Sequence, residues 1–127
     1  MDISDLKPAE RVVEILHPAT GEELGVRISL LSLEDQKLKQ LKRRLTDERI
    51  RLESKGKSFK AADLEENGNE ILLASVTGWE WYSQNITFHG QKPEFNRKNF
   101  LEVIRELPWF KAQIEVAISD EQAFFQT

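Results

Sequence analysis

The sequence predicts an α+β fold that is mainly helical, with an N-terminal β-hairpin followed by about four helices in a single small domain. Three observations support this prediction. The 127-residue chain begins with two short β-rich runs joined by a turn, continues with runs of helical periodicity, and contains no linker long enough to divide domains. With 39% hydrophobic and 31% charged residues, the composition is that of a globular protein. We assign residues 1–31 to the hairpin, 32–118 to the helices and 119–127 to a tail.

The hairpin is predicted from residues 12–16 and 24–30. Apolar side chains alternate along the second run from Leu24 to Leu30, which is the period of a strand with one buried face. The connector HPATGEE contains a proline and a glycine, the residues that a turn needs. Two antiparallel strands are therefore expected before the first helix.

Two helices are predicted next. The first covers residues 33–54, starts from the sequence SLED in the manner of a capping box at Ser32, and ends before Gly56. The second covers residues 61–81. An interruption of the second helix near residues 67–68 is left open. The first helix carries a narrow leucine stripe that predicts partial burial: Leu38, Leu41, Leu45 and Leu52.

The aromatic stretch WEWY, residues 79–82, falls at the end of the predicted second helix. On that helix Trp79 shares a face with the aliphatic residues and is expected in the core, whereas Trp81 falls on the polar face. Trp81 then either packs under the following loop, which we favour, or is offered to a partner. His89-Gly90 is interpreted as a turn, with His89 in solvent.

The C-terminal third is predicted to contain two further helices. Asn96 is a plausible N-cap for a helix over residues 97–107, and Pro108 is well suited to be the first residue of a helix over 108–118. The residues after 118 are expected to form a tail or a last short turn.

The sequence contains no complete motif for catalysis, metal binding or nucleotide binding. The chain has no cysteine, and its two histidines, His17 and His89, lie in different turns. The sequence GKS at 56–58 lacks both the earlier glycine and the strand of a phosphate loop. The acidic run from Asp63 resembles the start of a calcium loop but has Ala74 where the bidentate glutamate belongs. We therefore predict a protein that is not an enzyme and binds no cofactor or metal.

Charge is segregated along the chain. Seven basic residues and only two acidic ones lie between Lys37 and Arg51, whereas residues 61–91 contain five acidic residues and no lysine or arginine. The basic stretch carries several oppositely charged pairs at i,i+4 spacing, which is typical of a solvated helix. A solvated face is favoured over a nucleic-acid surface. A small helical nucleic-acid-associated or regulatory protein that uses Lys37–Arg51 is the alternative function.

The segment GWEWYSQNITFHGQKPEFNRKNFLEVIRELPWFKAQI carries a recognisable order of motifs. Gly-Trp occurs at 78–79, Pro-Glu-Phe at 93–95, Asn-Phe-Leu at 99–101, Leu-Pro-Trp-Phe at 107–110 and Gln-Ile at 113–114. This order resembles the tail assembly chaperones of long-tailed bacteriophages with non-contractile tails, in which a helix ends in Gly-Trp. The resemblance covers about residues 74–118. His89-Gly90 differs from the Asp-Gly expected at the turn in that family.

The resemblance implies a non-enzymatic chaperone that coats the tape measure protein and helps the tail tube protein to polymerise around it. It also implies self-association into rings or spirals, a location in the host cell cytoplasm and absence from the finished virion. The family commonly makes a longer product by ribosomal frameshifting, through which the tube protein is engaged, and this chain is then expected to be the shorter product. The apolar runs are too short to cross a membrane, so no membrane association is expected.

Two sets of residues are predicted to carry this function. Large apolar side chains that are hard to place in the core are expected to hold the client: Trp81, Trp109, Phe124 and Phe125. Charged side chains of the first two helices are expected to pair between copies: Lys42, Arg43 and Arg44 with Glu65, Glu66 and Glu70. Such head-to-tail contacts generate open arrays when the rotation does not close. Pairing of the two helices within one chain remains the alternative.

Overall fold

Within residues 1–125, which the computed structural model describes, the predicted hairpin forms part of a three-stranded antiparallel sheet in the order β1–β2–β3. The strands are β1 (Arg11–Leu16), β2 (Glu23–Leu30) and β3 (Val76–Trp81). The same residues contain five helices: α1 (Gln36–Ser54), α2 (Ala61–Ser75), α3 (Arg97–Glu106), α4 (Pro108–Ser119) and α5 (Glu121–Phe124). The predicted α+β class in one small domain is confirmed.

The second helix was predicted to extend through residue 81, and this is wrong beyond Ser75. The chain enters β3 at once and pairs with β2, with Trp79 opposite Ile28 and Trp81 opposite Val26. Valine, threonine and tryptophan favour a strand, and the second edge of β2 offers backbone partners there. Strand pairing therefore overrides the helical periodicity. For the same reason the Gly-Trp motif at 78–79 lies in a strand and not at a helix end.

α1 begins three residues later than predicted because Asp35, and not Ser32, is its N-cap. The Asp35 carboxylate accepts a hydrogen bond from the backbone N–H of Lys37 at 2.9 Å. The Ser32 hydroxyl instead accepts from the N–H of Glu34. α1 packs against α2 along its leucine stripe, in which Leu38 is fully buried and the others are half-buried.

The predicted first residues of α3 and α4 are confirmed. The Asn96 side chain caps α3 by accepting from the N–H of Asn99 at 2.8 Å, and Pro108 is the first residue of α4. Of the two alternatives for the residues after 118, a tail or a last short turn, the described part fits the turn, since α5 has only four residues; its Phe124 is buried. Residues 126 and 127 of that tail lie outside the described part of the chain.

The hydrophobic core lies between one face of the sheet and the helices. Its fully buried side chains include Ile15, Val26 and Ile28 from the sheet, and Phe100, Phe110 and Ile114 from α3 and α4. Around this core, Trp79 meets Phe95 and Phe100 at ring-centroid distances of 5.4 and 5.9 Å. Among the described residues, no helix has both the length and the hydropathy of a bilayer span.

Candidate functional site

An apolar cavity of about 250 Å³ opens at one end of the sheet. Five parts of the fold meet there, namely the β1–β2 turn, β2, β3, the loop that follows β3 and the corner between α3 and α4. They contribute, among others, His17, Val26, Trp81, Phe88, Leu107 and Trp109. The lining is almost entirely hydrocarbon, so the cavity favours an apolar occupant.

Strand β3 holds Trp81 in the cavity wall. Trp79 and Trp81 lie two residues apart and face the same side of the sheet, which brings their rings edge to face at 5.6 Å. The ring of Trp81 also stacks on Phe110, with centroids 6.4 Å apart and planes 19° apart. Trp81 therefore packs against the core from a strand, whereas the sequence placed it on the polar face of a helix and favoured packing under the following loop; one part of it also faces the cavity.

Helix α4 supplies the second indole. Because Pro108 starts the helix, Trp109 lies in its first turn, beside Phe110 at a centroid distance of 5.9 Å. Trp109 is half-buried and lines the cavity together with Trp81. Two of the four residues predicted to bind a client are thus brought together.

Lys92 holds the loop that forms the outer wall of the cavity. Its Nζ donates to the backbone carbonyls of Trp81 at 3.1 Å and Ile86 at 3.0 Å, and also to the carbonyl of Ser83. Three acceptors on one ammonium group fix the path of the chain after β3. Sequence reasoning missed Lys92, and no local pattern marks it, because all three acceptors belong to the backbone.

His17 lies at the cavity as well, although the sequence placed it only in a turn. Its Nδ1 accepts hydrogen bonds from the backbone N–H groups of Ala19 at 3.0 Å and Thr20 at 3.2 Å. An imidazole nitrogen that accepts carries no proton, so the neutral ring has its proton on Nε2. The turn thereby determines which nitrogen of His17 is a donor.

The two C-terminal phenylalanines lie away from this cavity. Phe124 is only 1% exposed, and its carbonyl accepts from the N–H of Ala9 at 2.7 Å. A buried side chain offers no surface to a client, so Phe124 does not fit its predicted role. Phe125 is 40% exposed and stays accessible.

The acidic residues predicted to pair between copies form ion pairs within the chain. Arg97 donates two hydrogen bonds to the Glu70 carboxylate, one of them at 2.8 Å. Arg105 pairs with Glu66 at 2.8 Å, and the Lys111 ammonium lies 3.9 Å from Glu65. The hydrogen bond from Arg97 lowers the pKa of the Glu70 carboxyl. These contacts link α2 to α3 and α4, whereas the alternative interpretation expected α2 to pair with α1.

The basic residues that were predicted to pair between copies are exposed on α1. Within residues 1–125, Lys42, Arg43 and Arg44 take part in no ion pair. Elsewhere on α1, Arg49 pairs with Glu53 at 3.1 Å, which is one of the expected i,i+4 pairs. Arg51 pairs instead with Glu48, at i,i+3 spacing and 2.8 Å.

One group of side chains has the composition of a metal site. The ligand atoms of His89, Glu102 and Glu106 lie within 4.8 Å of one another, and all three residues are exposed. His89 Nε2 instead bonds to Glu106 at 2.7 Å, and this hydrogen bond raises the pKa of the imidazole. Because Glu106 already occupies Nε2 and all three side chains are exposed, the group is a surface hydrogen-bonded pair with Glu102 beside it.

Comparison with protein-family models, with curated proteins and with solved structures finds no match to the chain. The resemblance to tail assembly chaperones therefore depends on the motif residues alone. Of these, Trp79, Phe95, Phe100 and Phe110 belong to the aromatic contacts around the core. These four motif residues thus pack around the core, and the Leu-Pro-Trp-Phe motif also lines the cavity through Leu107, Trp109 and Phe110.

Proposed function

We propose that the protein is a non-enzymatic tail assembly chaperone of a long-tailed phage, which holds the tape measure protein through the cavity between Trp81 and Trp109. The observation that carries this proposal is the shared position of these two indoles. Both belong to the set of apolar residues that the sequence predicts to bind the client. Interface energy concentrates in pockets that take one large anchor side chain, and tryptophan is enriched at such positions.

The lining and size of the cavity suit one apolar side chain of a protein client. Sites for drug-sized ligands measure about 300–1,000 Å³ and carry several placed polar groups. This cavity measures about 250 Å³ and is almost entirely apolar. A long helical client offers such side chains repeatedly along an apolar stripe, so many copies of the chaperone can bind along it.

The wider role follows from the same proposal. Coating the tape measure protein in the host cytoplasm keeps its apolar stripes from aggregating until the tail tube protein polymerises around it. The longer frameshifted product is proposed to engage the tube protein, and neighbouring copies to associate into rings or spirals. The exposed basic residues of α1 are available for such contacts, but their acidic partners would have to leave Arg97, Arg105 and Lys111.

An affinity capture tests the client. The immobilised protein is exposed to a lysate of cells that produce phage tails, and retained proteins are identified by mass spectrometry. We expect one very long, helix-rich tail protein together with many copies of this chain. Retention of nothing, or of nucleic acid alone, would contradict the proposal.

Three variants connect the capture to the cavity. Trp109→Ala removes one wall, whereas Thr87→Phe fills the cavity from an exposed rim position and leaves the core intact. Phe125→Ala tests the competing location, because Phe125 is the other exposed residue predicted to bind the client and does not line the cavity. We expect the first two variants to lose the client and the third to keep it, with unchanged melting of Thr87→Phe by circular dichroism. Loss of capture in Phe125→Ala alone would move the client site to the C-terminus.

A second candidate function rests on the exposed positive charge of Lys42, Arg43 and Arg44, which have no ion pair within residues 1–125. This observation favours a nucleic-acid-associated protein that uses α1. The ratio of absorbance at 260 and 280 nm after purification distinguishes the two candidates. Bound nucleic acid that dissociates as salt is raised would support this second function.

A further inference from the structure

The outer wall of the cavity is tied to the helices through one polar contact. Residues 86–88 line the cavity from the loop, and Leu107 lines it from the corner between α3 and α4. His89 directly follows the loop wall in the chain, and Glu106 directly precedes Leu107. The Nε2 atom of His89 lies 2.7 Å from the Glu106 carboxylate. Among the described residues, no other hydrogen bond or ion pair joins residues 86–91 to a helix.

The tip of this loop is a tight turn, so the contact acts on it as one unit. The N–H of Phe88 donates to the Gln91 carbonyl at 2.7 Å, and the N–H of Gln91 donates back to the Phe88 carbonyl at 3.2 Å. The two central residues have positive φ, 51° at His89 and 80° at Gly90, as in a type I′ turn. The ring of Phe88 lies 4.4 Å from the imidazole and lines the cavity. The position of His89 therefore determines that of Phe88.

The charge around His89 comes from α3. In the described part of the chain, the carboxylates that face the imidazole are that of Glu106, which is hydrogen-bonded to it, and that of Glu102 beside it. Both favour the charged ring, and the hydrogen bond to Glu106 raises the pKa of His89. The contact is therefore a full ion pair below pH 6.5 and loses its charge as the pH rises through the raised pKa.

We infer that the His89–Glu106 pair is a clasp that positions the outer wall of the cavity, so that the client binds more tightly when His89 is protonated. This inference rests on the proposed function and adds regulation to the same site. A wall that is already in place does not have to be ordered on binding, and such preorganisation raises affinity. Because both partners are exposed, the clasp changes affinity by only about two- to fivefold.

Titration with N-acetyl-leucine methylamide at several values from about pH 6 to about pH 9 tests the inference across the range in which histidine loses its charge. The probe has one apolar side chain and no charge, so any change in affinity with pH comes from the protein. Binding is followed by NMR of the aromatic protons of Trp81 and Trp109, which line the cavity. We expect the dissociation constant to rise about two- to fivefold with pH, with its midpoint at the pKa measured from the His89 resonances. Absence of saturable binding at the lowest pH, or an affinity that does not follow His89, would overturn the inference.

Substitutions of the two partners separate the clasp from other titrating groups. His89→Asn tolerates the φ of +51° without a charge, and Glu106→Gln keeps the side-chain size without the carboxylate. Both variants should bind the probe at every pH with the affinity that wild type has at high pH. Glu102→Gln is the matched control on the same helix, since the described residues show no hydrogen bond from His89 to Glu102, and it should keep most of the pH dependence. Wild-type pH dependence in folded His89→Asn or Glu106→Gln would refute the clasp.

His17 also lines the cavity and needs its own control. His17→Asn keeps a side-chain acceptor for the turn, so the pH dependence should remain. Its loss in His17→Asn but not in His89→Asn would overturn the inference. The clasp and the client fail independently: probe affinity that follows His89 without capture of a tail protein would remove only the client. Capture of the tail protein together with probe affinity that does not change with pH would remove only the clasp.

Discussion

Substitution of Gly25 by alanine should be among the most damaging small changes to this fold. Gly25 is buried in β2 with φ of +93°, a conformation that costs a residue with a Cβ about 1–2 kcal/mol. A Cβ at this position would also collide with the Cβ of Ser83 and lie 3.2 Å from the Ser83 nitrogen. Relief of that overlap requires movement of the chain after β3, where the N–H of Tyr82 donates to the Gly25 carbonyl at 2.9 Å. Overpacking of this kind typically costs about 1–3 kcal/mol.

The sum of the two effects predicts that Gly25→Ala lowers the free energy of unfolding by about 2–5 kcal/mol. Gly21→Ala is the matched control, because Gly21 has φ of +76° but no atom within 4 Å of an added Cβ. It should lose only the conformational part, about 1–2 kcal/mol. Urea denaturation measures both values. Equal losses would show that the contact with Ser83 is not rigid, and the reasoning would fail. A Ser83→Gly substitution that restores stability only in the Gly25→Ala background would support it.

Two further predictions concern the edges of the fold. His89→Asn keeps a residue that tolerates the φ of +51° but removes the ion pair with Glu106. Because that pair raises the pKa of His89, the stability it adds should be fully present below pH 6.5 and should disappear as the pH rises through the raised pKa. A difference in urea midpoint between wild type and His89→Asn that does not change with pH would contradict this. Gln113→Ala should cost about 1 kcal/mol and promote aggregation, measured by denaturation and light scattering, because Gln113 bonds both the N–H and the C=O of Leu16 on the edge strand β1, each at 2.8 Å. A Gln113→Ala variant with the unfolding midpoint and light scattering of wild type would count against this account.

How much of the fold the sequence predicts depends on whether the deciding interaction is local. The hairpin, the cap at Asn96 and the start of α4 at Pro108 follow from neighbouring residues, and all three are confirmed. The third strand is not local, because β3 pairs with residues about fifty positions earlier. Nothing in the neighbouring sequence therefore contradicted a helix that extends through residue 81. The alternation of Val76, Trp79 and Trp81 with polar residues was an available signal for a strand, although the bulge before Trp79 disturbs it.

The candidate site shows the same division. Trp81 and Trp109 were selected one by one as surplus apolar residues, yet only the fold brings both to one cavity. Phe124 had the same sequence properties and is buried, because α5 returns to the core beside β1. Neither Lys92 nor His17 could be found by pattern, since both act through backbone groups. Exposure of a large apolar residue is decided by tertiary packing, which composition and spacing do not contain.

The ion pairs of α2 limit what charge alone can contribute to self-association. Glu65, Glu66 and Glu70 already face basic residues of their own chain, and each of these exposed pairs is worth only about 0–1 kcal/mol. Exchange of such a pair for one with Lys42–Arg44 of a second copy replaces one weak contact by another, so its net driving force is close to zero. Association of copies then needs another source of free energy. A client that presents anchor side chains at regular intervals supplies it, because binding to one molecule raises the local concentration of neighbouring copies. Purified protein should accordingly remain dispersed in sedimentation at any salt concentration and assemble when the client is added. Salt-sensitive arrays that form without a client, and that charge reversal at Arg43 and Arg44 abolishes, would show instead that the α2 pairs do open.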